Sequence, residues 1–362
     1  MMKNFQLRII RTVSVLVTLI YLAAPQLGHA AKCSAEQGQL LIDSGRYDAA
    51  IREFSCVIQT QPTEAEGYRG RAEAELRSDL FSDAARDYAA INAYVLPVHP
   101  DAPATILDGY ATRLSVAPQN VPALSGASFA NWWFFKYPAA LQLLNDLLAV
   151  APNDLYGTLF RGSNRMLSNA NKVQGAQDLE HAIQIASQNP HVHFIVADAY
   201  TYGQPDPARA FAEASIALNG GLDTPRIAAI LATSYLAFGD LSAAAAEYEK
   251  HIELVTTQLV PAPALAPGSS IVVDLAAGRT FEIPIPAVFG QPISILTGSP
   301  THEISDSIMV LIAQDGTPVF GNDDFKKYFA GLVWNAEETG TYLLRVTSFE
   351  GVSTGKLSVT RK

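Results

Sequence analysis

A short acidic loop offers the clearest set of metal-type ligands in this sequence. It contains Asn322, Asp323 and Asp324, and Asp315 or Asp306 could add further carboxylates. Calcium takes about six to eight oxygen ligands, so adjacent acidic residues on one loop supply only part of a site. The loop also lacks the Asp-x-Asp-x-Asp-Gly spacing of a dedicated calcium loop. Two interpretations stand: a calcium site, or a turn whose carboxylates are solvated.

The histidines do not show the spacing of a zinc peptidase. His302 and Glu303 are followed by Asp306, where such a helix needs a second histidine. His191 and His193 stand at the start of a segment with helical character, where alternate residues point in different directions, and we interpret His191 as a cap or surface residue. The sequence also lacks a Gly-x-Ser-x-Gly nucleophile turn and a phosphate-binding glycine loop. We therefore predict no enzyme activity and, apart from the possible calcium, no cofactor.

Alanine divides the chain into two regions with different predicted structure. There are 42 alanines in residues 31–260 and 9 in residues 261–362, which favours helix first and strand later. Three prolines within seven residues lie between these regions, and proline ends helices and stiffens linkers. The predicted division is a helical domain at 31–258, a linker at 259–269 and a β domain at 270–362.

The alanine-rich region has an internal period of 34 residues. Ala50 and Ala84 are 34 apart, as are Phe54 and Tyr88. This period, with small residues where helices meet and a proline at the repeat end, resembles the tetratricopeptide repeat. The resemblance implies pairs of antiparallel helices that stack into a superhelical solenoid. Residues 99–120 are too short for a unit and are predicted to add one helix around Thr105–Val116. The predicted units are 31–64, 65–98, 121–154, 155–190, 191–224 and 225–258.

An aromatic run at 129–135 is the most unusual segment of the helical region. It holds two of the three tryptophans of the chain, and the repeat resemblance places it on a first helix, which lines the concave groove. Adjacent residues are about 100° apart around a helix, so one of Trp132 and Trp133 is expected to pack inward. The other would face the groove and anchor a bound peptide. The alternative is that both fill the irregular seam left by the extra helix. The candidate partner-binding residues are Trp132, Trp133, Phe129, Arg69, Arg161 and Arg165.

The only two cysteines of the chain are Cys33 and Cys56. They stand at the start of the first predicted helix and late in the second, positions that antiparallel helices bring together. In an oxidising compartment a disulfide is expected, and closing this loop would stabilise the fold by about 3 kcal/mol. The alternative is two buried thiols that act as small hydrophobic groups.

The last hundred residues have the pattern of an antiparallel β-sandwich. Seven short β-branched segments are separated by turn dipeptides such as Asp315-Gly316 and Thr339-Gly340. The run from Ile308, the double aspartate and the Thr-Gly-Thr-Tyr strand resemble the bacterial pre-peptidase C-terminal domain. That resemblance implies an accessory or binding module of an exported protein. The predicted strands are 271–275, 279–285, 292–297, 308–313, 332–335, 341–348 and 356–360.

The amino terminus is typical of a secretory signal peptide. Lys3, Arg8 and Arg11 precede an apolar run, and small residues stand before a cut that we place after Ala30. The alternative is an uncleaved anchor. The product would be secreted or periplasmic, with no membrane span in the mature chain. Removing three cations from a chain of net charge −10 leaves −13, which argues against nucleic-acid binding.

These features predict a two-domain protein, an all-α tetratricopeptide solenoid followed by an all-β antiparallel sandwich. The expected function is exported, non-enzymatic binding of a protein or peptide in the solenoid groove. The alternative is an accessory protein that binds carbohydrate or matrix through the sandwich.

Overall fold

A computed structural model describes residues 33–168, 170–300, 306–323, 329–349, 351 and 354–362. The proposed signal peptide, its cut after Ala30 and Asp324 lie outside the described residues. From Ser34 to Lys362 the chain forms one compact unit. None of the helices among these residues is long and apolar enough to cross a membrane.

Thirteen α-helices fill the first part of the described chain, and they form six antiparallel pairs with α5 as an extra member. Short π-helical segments extend α4 at Ile91–Val95 and α10 at Ala199–Gly203. The predicted repeat solenoid, with an additional helix between the second and third pairs, is confirmed. The helices are α1 Ala35–Asp43, α2 Tyr47–Thr60, α3 Ala65–Leu76, α4 Phe81–Ala90, α5 Ala102–Val116, α6 Val121–Trp133, α7 Tyr137–Val150, α8 Leu155–Leu167, α9 Lys172–Ile185, α10 Pro190–Asp198, α11 Pro207–Asn219, α12 Pro225–Phe238 and α13 Leu241–Val255.

Local sequence explains where these helices begin and how closely they pack. Asn120, Asp154 and Thr224 cap α6, α8 and α12, because each side-chain oxygen accepts a hydrogen bond from a backbone N–H of the first turn. Gly162 of α8 and Gly175 of α9 lie against each other, and a Cβ on either would approach the other's carbonyl oxygen to 3.0 Å or less. Glycine therefore allows the two helices of this pair to approach closely, which is the role expected of the small alanine side chain in the other pairs.

Among the described residues, nine strands form two sheets that pack face to face. The first sheet has the order β1-β3-β8-β5-β6 and the second β2-β9-β4-β7. All neighbouring strands are antiparallel except β1 and β3, which are parallel. The predicted antiparallel sandwich is confirmed. The strands are β1 Gln258–Pro261, β2 Ser270–Leu275, β3 Arg279–Ala287, β4 Pro292–Gly298, β5 Ser307–Ile312, β6 Pro318–Asn322, β7 Gly331–Asn335, β8 Gly340–Ser348 and β9 Gly355–Arg361.

The segment after the last helix differs from the expected linker. Gln258–Pro261 pairs with Arg279–Glu282 as an edge strand of the first sheet, and Thr257 donates its backbone N–H to the carbonyl of Gly278 at 2.7 Å. A proline is tolerated at a strand end on a sheet edge, which is why Pro261 does not prevent pairing. The first residues of the proline-rich segment are therefore part of the sandwich.

The last helix pair packs directly on the outer face of the first sheet. Ala229 and Tyr248 of this pair share a buried cluster with Ile308, Val310 and Phe349. Strand β5 is buried along its whole length, because the sandwich core covers one face and the helices cover the other. The sandwich is thus continuous in packing with the solenoid.

Candidate interaction surface

The aromatic run at the end of α6 lies within the core of the solenoid. Phe129 is 1% exposed, and its ring centroid lies 5.2 Å from that of Tyr88 and 5.6 Å from that of Phe160. Trp132 and Trp133 follow it by three and four residues, so both lie on the same side of the helix. Their centroids are 5.8 Å and 6.3 Å from Phe129. Phe129 is a core residue and cannot contact a partner, which corrects the expectation for this position.

The two tryptophans do not divide into one inward and one outward residue. Both are half-buried and both pack against the same apolar core. The Nε1 atom of Trp132 is buried and has no hydrogen-bond acceptor among the described residues. The arrangement matches the alternative in which the pair fills space inside the solenoid more closely than the exposed-anchor interpretation.

Arg69 is engaged within the solenoid. Its guanidinium lies 3.2 Å from Glu66 and 3.4 Å from Glu73, and it stacks 5.3 Å from the ring centroid of Tyr110 on α5. Arg113 of α5 also binds Glu73, at 2.7 Å. Arg69 therefore holds α5 against α3, and its charge is already balanced.

Arg161 and Arg165 share one carboxylate on the neighbouring helix. Arg161 donates two hydrogen bonds to Asp178, at 2.7 and 2.9 Å, and Arg165 donates one at 2.5 Å. Both side chains are less than a quarter exposed. They join α8 to α9, so both guanidinium groups are already paired with a carboxylate inside the helix pair.

Several first helices are enclosed on every side. In α6 every residue from Ala123 to Ala130 is buried, and in α12 the same holds from Ile227 to Ala232. Tyr110 of α5 lies so close to α6 that a Cβ at Gly126 would collide with its hydroxyl group. The groove expected from the repeat pattern is therefore filled by the chain's own side chains along α6.

The first helix pair carries two concave pockets. One pocket of about 350 Å³ lies at the start of α2 and is lined by Arg46, Asp48, Arg52 and Ser78 among others. A second, of about 450 Å³, lies at the other end of α2 and extends from Ala35 to Glu66. Arg46 and Arg52 are exposed and make no ion pair with the described residues. In the sequence, this surface is marked only by two arginines close to the start of α2, Arg46 and Arg52. Their positions in the repeat do not distinguish them from other exposed charged residues.

The acidic loop is directed toward the solenoid. Asp323 is 6% exposed, and its Oδ1 accepts a hydrogen bond of 2.7 Å from the hydroxyl of Tyr248 on α13. Burial raises the pKa of Asp323, and the hydrogen bond from Tyr248 opposes that rise. The side-chain oxygen of Asn322 accepts from the backbone N–H of Gly331 at 3.4 Å. Among the described residues there is no cluster of three or more His, Cys, Asp or Glu suited to a metal ion. Asp323 is a buried contact between α13 and β6, which is a different role from the expected calcium ligand.

The two cysteines of the chain, Cys33 and Cys56, are both disulfide-bonded. Neither is available as a thiol nucleophile or as a metal ligand.

Comparison with known proteins identifies fold likenesses for both parts of the chain. No family model matches the sequence, and no curated protein matches it. A tetratricopeptide repeat protein from Parabacteroides merdae is 15% identical over 62% of this chain and 92% of its own, with a TM-score of 0.38. A chain in the crystal structure of the APC/C hetero-tetramer Cut9–Hcn1 is 15% identical over 60% of this chain and 45% of its own, with a TM-score of 0.42. The pre-peptidase C-terminal domain of a Bacillus anthracis collagenase is 15% identical over 30% of this chain and 99% of its own, with a TM-score of 0.25. These are the two families that the sequence motifs resemble, and the likeness is one of fold alone.

Proposed function

We propose that this protein is an exported, non-enzymatic scaffold that binds a protein or peptide partner at its first helix pair. The observation that carries the proposal is the contrast between the two open pockets at the ends of α2 and the enclosed first helices α6 and α12. Repeat solenoids bind partners through extended surfaces. The pockets at the two ends of α2 supply concave surface of this kind on the amino-terminal pair, which supports the proposal.

Charge favours an acidic segment of the partner at the start of α2. Arg46 and Arg52 carry two positive charges in that pocket and Asp48 one negative charge, which leaves a local excess of one positive charge. The chain as a whole carries a net charge of −10. The basic pocket attracts acidic groups, whereas the acidic remainder of the protein repels them. Such a charge pattern determines the orientation in which a partner binds more than its affinity.

The test uses the full-length mature chain as bait in extracts of the cell envelope and culture fluid. The double variant Arg46→Glu with Arg52→Glu should lose the captured partner while its melting temperature stays unchanged. Lys136→Glu is the matched control, because Lys136 stands before α7 as Arg46 stands before α2, and it is exposed. Equal capture by the wild type and the double variant would contradict a partner site at α2.

Export is tested separately by amino-terminal sequencing of the native protein from the extracytoplasmic fraction. We expect Ala31 as the first residue. An intact Met1 in the cytoplasmic fraction would contradict export. That result would not bear on partner binding at α2, which the capture experiment tests.

A further inference from the structure

The contact between the last helix pair and the sandwich contains a buried histidine. His251 of α13 is 1% exposed. Its Nδ1 atom lies 2.7 Å from the carbonyl oxygen of Pro225 at the start of α12, and its Nε2 atom lies 2.7 Å from the carbonyl oxygen of Phe349 after β8. The ring therefore spans the junction, with one nitrogen on the solenoid and the other on the sandwich.

Both acceptors impose the same requirement on the ring. A backbone carbonyl can only accept a hydrogen bond, and a neutral imidazole has one N–H and one lone pair. In either neutral tautomer, one nitrogen would direct its lone pair at a carbonyl oxygen 2.7 Å away. Only the imidazolium, with an N–H on each nitrogen, can donate to Pro225 and Phe349 together.

We propose that His251 is held as a buried imidazolium and acts as a proton-dependent clamp between the helical solenoid and the β-sandwich. When the ring loses a proton, one of its two hydrogen bonds is replaced by a repulsion between lone pairs. The clamp then holds one side of the junction and releases the other.

Charged groups from each packed element surround this ring. Asp323 at the end of β6 is close enough to interact electrostatically with it, and a carboxylate there favours the charged ring. On α12, Arg226 opposes the charge, although it is itself paired with Asp198 at 2.8 Å and lies 5.3 Å from the ring centroid of Phe349. Farther along the junction, Arg345 of β8 is paired with Glu249 of α13 and with Glu282 of β3. On α13 itself, Tyr248 donates its hydrogen bond to Asp323 and adds no charge.

The direction of the pH effect follows from proton binding. A free histidine loses its proton near pH about 6.5, whereas the folded junction retains it. The folded state then binds more protons than the unfolded state, so stability falls as the pH rises above that value. The stabilisation is fully present below it.

The direct test is NMR of the wild-type full-length mature chain with ¹⁵N-labelled histidine. At neutral pH we expect two ring N–H signals from His251, one for each nitrogen, with coupling to the carbonyls of Pro225 and Phe349. A single N–H, with the other nitrogen unprotonated, would overturn the proposal. This measurement requires no substitution and therefore no assumption that a variant folds.

A second test compares thermal unfolding of His251→Gln with wild type between pH about 6 and about 8.5. The wild type should lose about 2–4 °C more than the variant over this range, because glutamine does not titrate and its hydrogen bonding therefore does not change with pH. His181→Gln is the control, since His181 is exposed on α9 and should leave the pH profile as in wild type. Parallel profiles for wild type and His251→Gln would overturn the clamp.

Discussion

At the scale of single residues, Arg71 lies against two buried carboxylates. Its guanidinium donates two hydrogen bonds to Asp87, at 2.5 and 2.8 Å, and lies 3.8 Å from Glu75. Glu75 is 6% exposed, and its Oε2 atom has no hydrogen-bond partner among the described residues. Burial, followed by the charge of Asp87, raises the pKa of Glu75 to about 8. One cation cannot compensate two buried anions, so the folded protein favours a protonated Glu75.

This arrangement predicts the effect of Glu75→Gln on the pH dependence of stability. In the unfolded chain the carboxyl ionises near its usual pKa, but in the folded chain it stays protonated until the pH nears about 8. Wild-type stability should therefore fall as the pH rises between these two values, and the variant should not show that decline. The decline is measured as the melting temperature at a series of pH values. Glu253→Gln is the control, because Glu253 is exposed. Parallel curves for wild type and Glu75→Gln would show that Glu75 ionises normally in the fold.

At the scale of elements, the turns of four helix pairs share one backbone conformation. Gly45, Asp79 and Gly239 have φ angles of 73°, 60° and 80° in three of these turns, and Phe135 has 58° in the turn between α6 and α7. A left-handed residue with a side chain is disfavoured, which is why glycine is common at such positions. Phe135 is 79% exposed, so packing compensates little of that cost.

We therefore expect Phe135→Gly to stabilise the protein by about 1 kcal/mol. Phe135→Ala keeps the left-handed residue with a Cβ and should give no comparable gain. Chemical denaturation of the three proteins measures the difference. If the alanine variant were as stable as the glycine variant, backbone strain at this turn would be excluded as the cause.

Much of the element order could be predicted from the sequence, and the two missed strands show why the rest could not. The 34-residue period and the alternating β-branched segments are local signals, and they located the helices and seven strands. Strand β1 contains a proline and depends on a parallel partner that follows it in the chain. Strand β6 contains Gly321, which is needed because a Cβ there would lie 2.8 Å from the Cβ of Tyr248. Both strands depend on tertiary contacts that no local pattern contains.

The candidate site was less predictable than the fold for the same reason. Arg161 was interpreted as a groove residue, but its partner Asp178 lies on the next helix of the same pair. Arg71 and Asp87 form an equivalent bridge in the second pair, at a separation of 16 residues against 17. In both pairs, an arginine on the first helix is followed by an aspartate on the second at nearly the same spacing. This recurrence is the sequence signal that identifies these residues as ion pairs within a helix pair.

At the scale of the whole molecule, the solenoid and the sandwich share one buried boundary. Ile308, Val310 and Ile312 of β5 pack under the helices and are almost fully buried. An experiment that separates residues 31–258 from 262–362 would remove β1 from its sheet and expose this apolar face. Single substitutions on the intact chain are the better test of the boundary.

Val310→Asp should destabilise the protein by about 3 kcal/mol or more, because it places an unpaired carboxylate in an apolar contact. Val333→Asp is the matched control, since Val333 also lies in a strand but is 58% exposed. The control should cost less than about 1 kcal/mol. Calorimetry of both variants and of wild type would also show whether the chain unfolds in one transition. A separate, unaffected transition for the solenoid in Val310→Asp would contradict a shared boundary.

The packing of the sheet on α13 restricts where further helix pairs can be added to this protein in evolution. A tandem-repeat gene grows by duplicating whole units, and each new pair needs an unoccupied second helix to stack upon. Here the second helix of the last pair is already occupied by β5 and β6. Duplications between internal pairs would preserve every contact at that junction, whereas a unit appended after Val255 would displace the sheet. Variation in repeat number among descendants of this gene should therefore be internal, with the last pair and the sandwich inherited as one block.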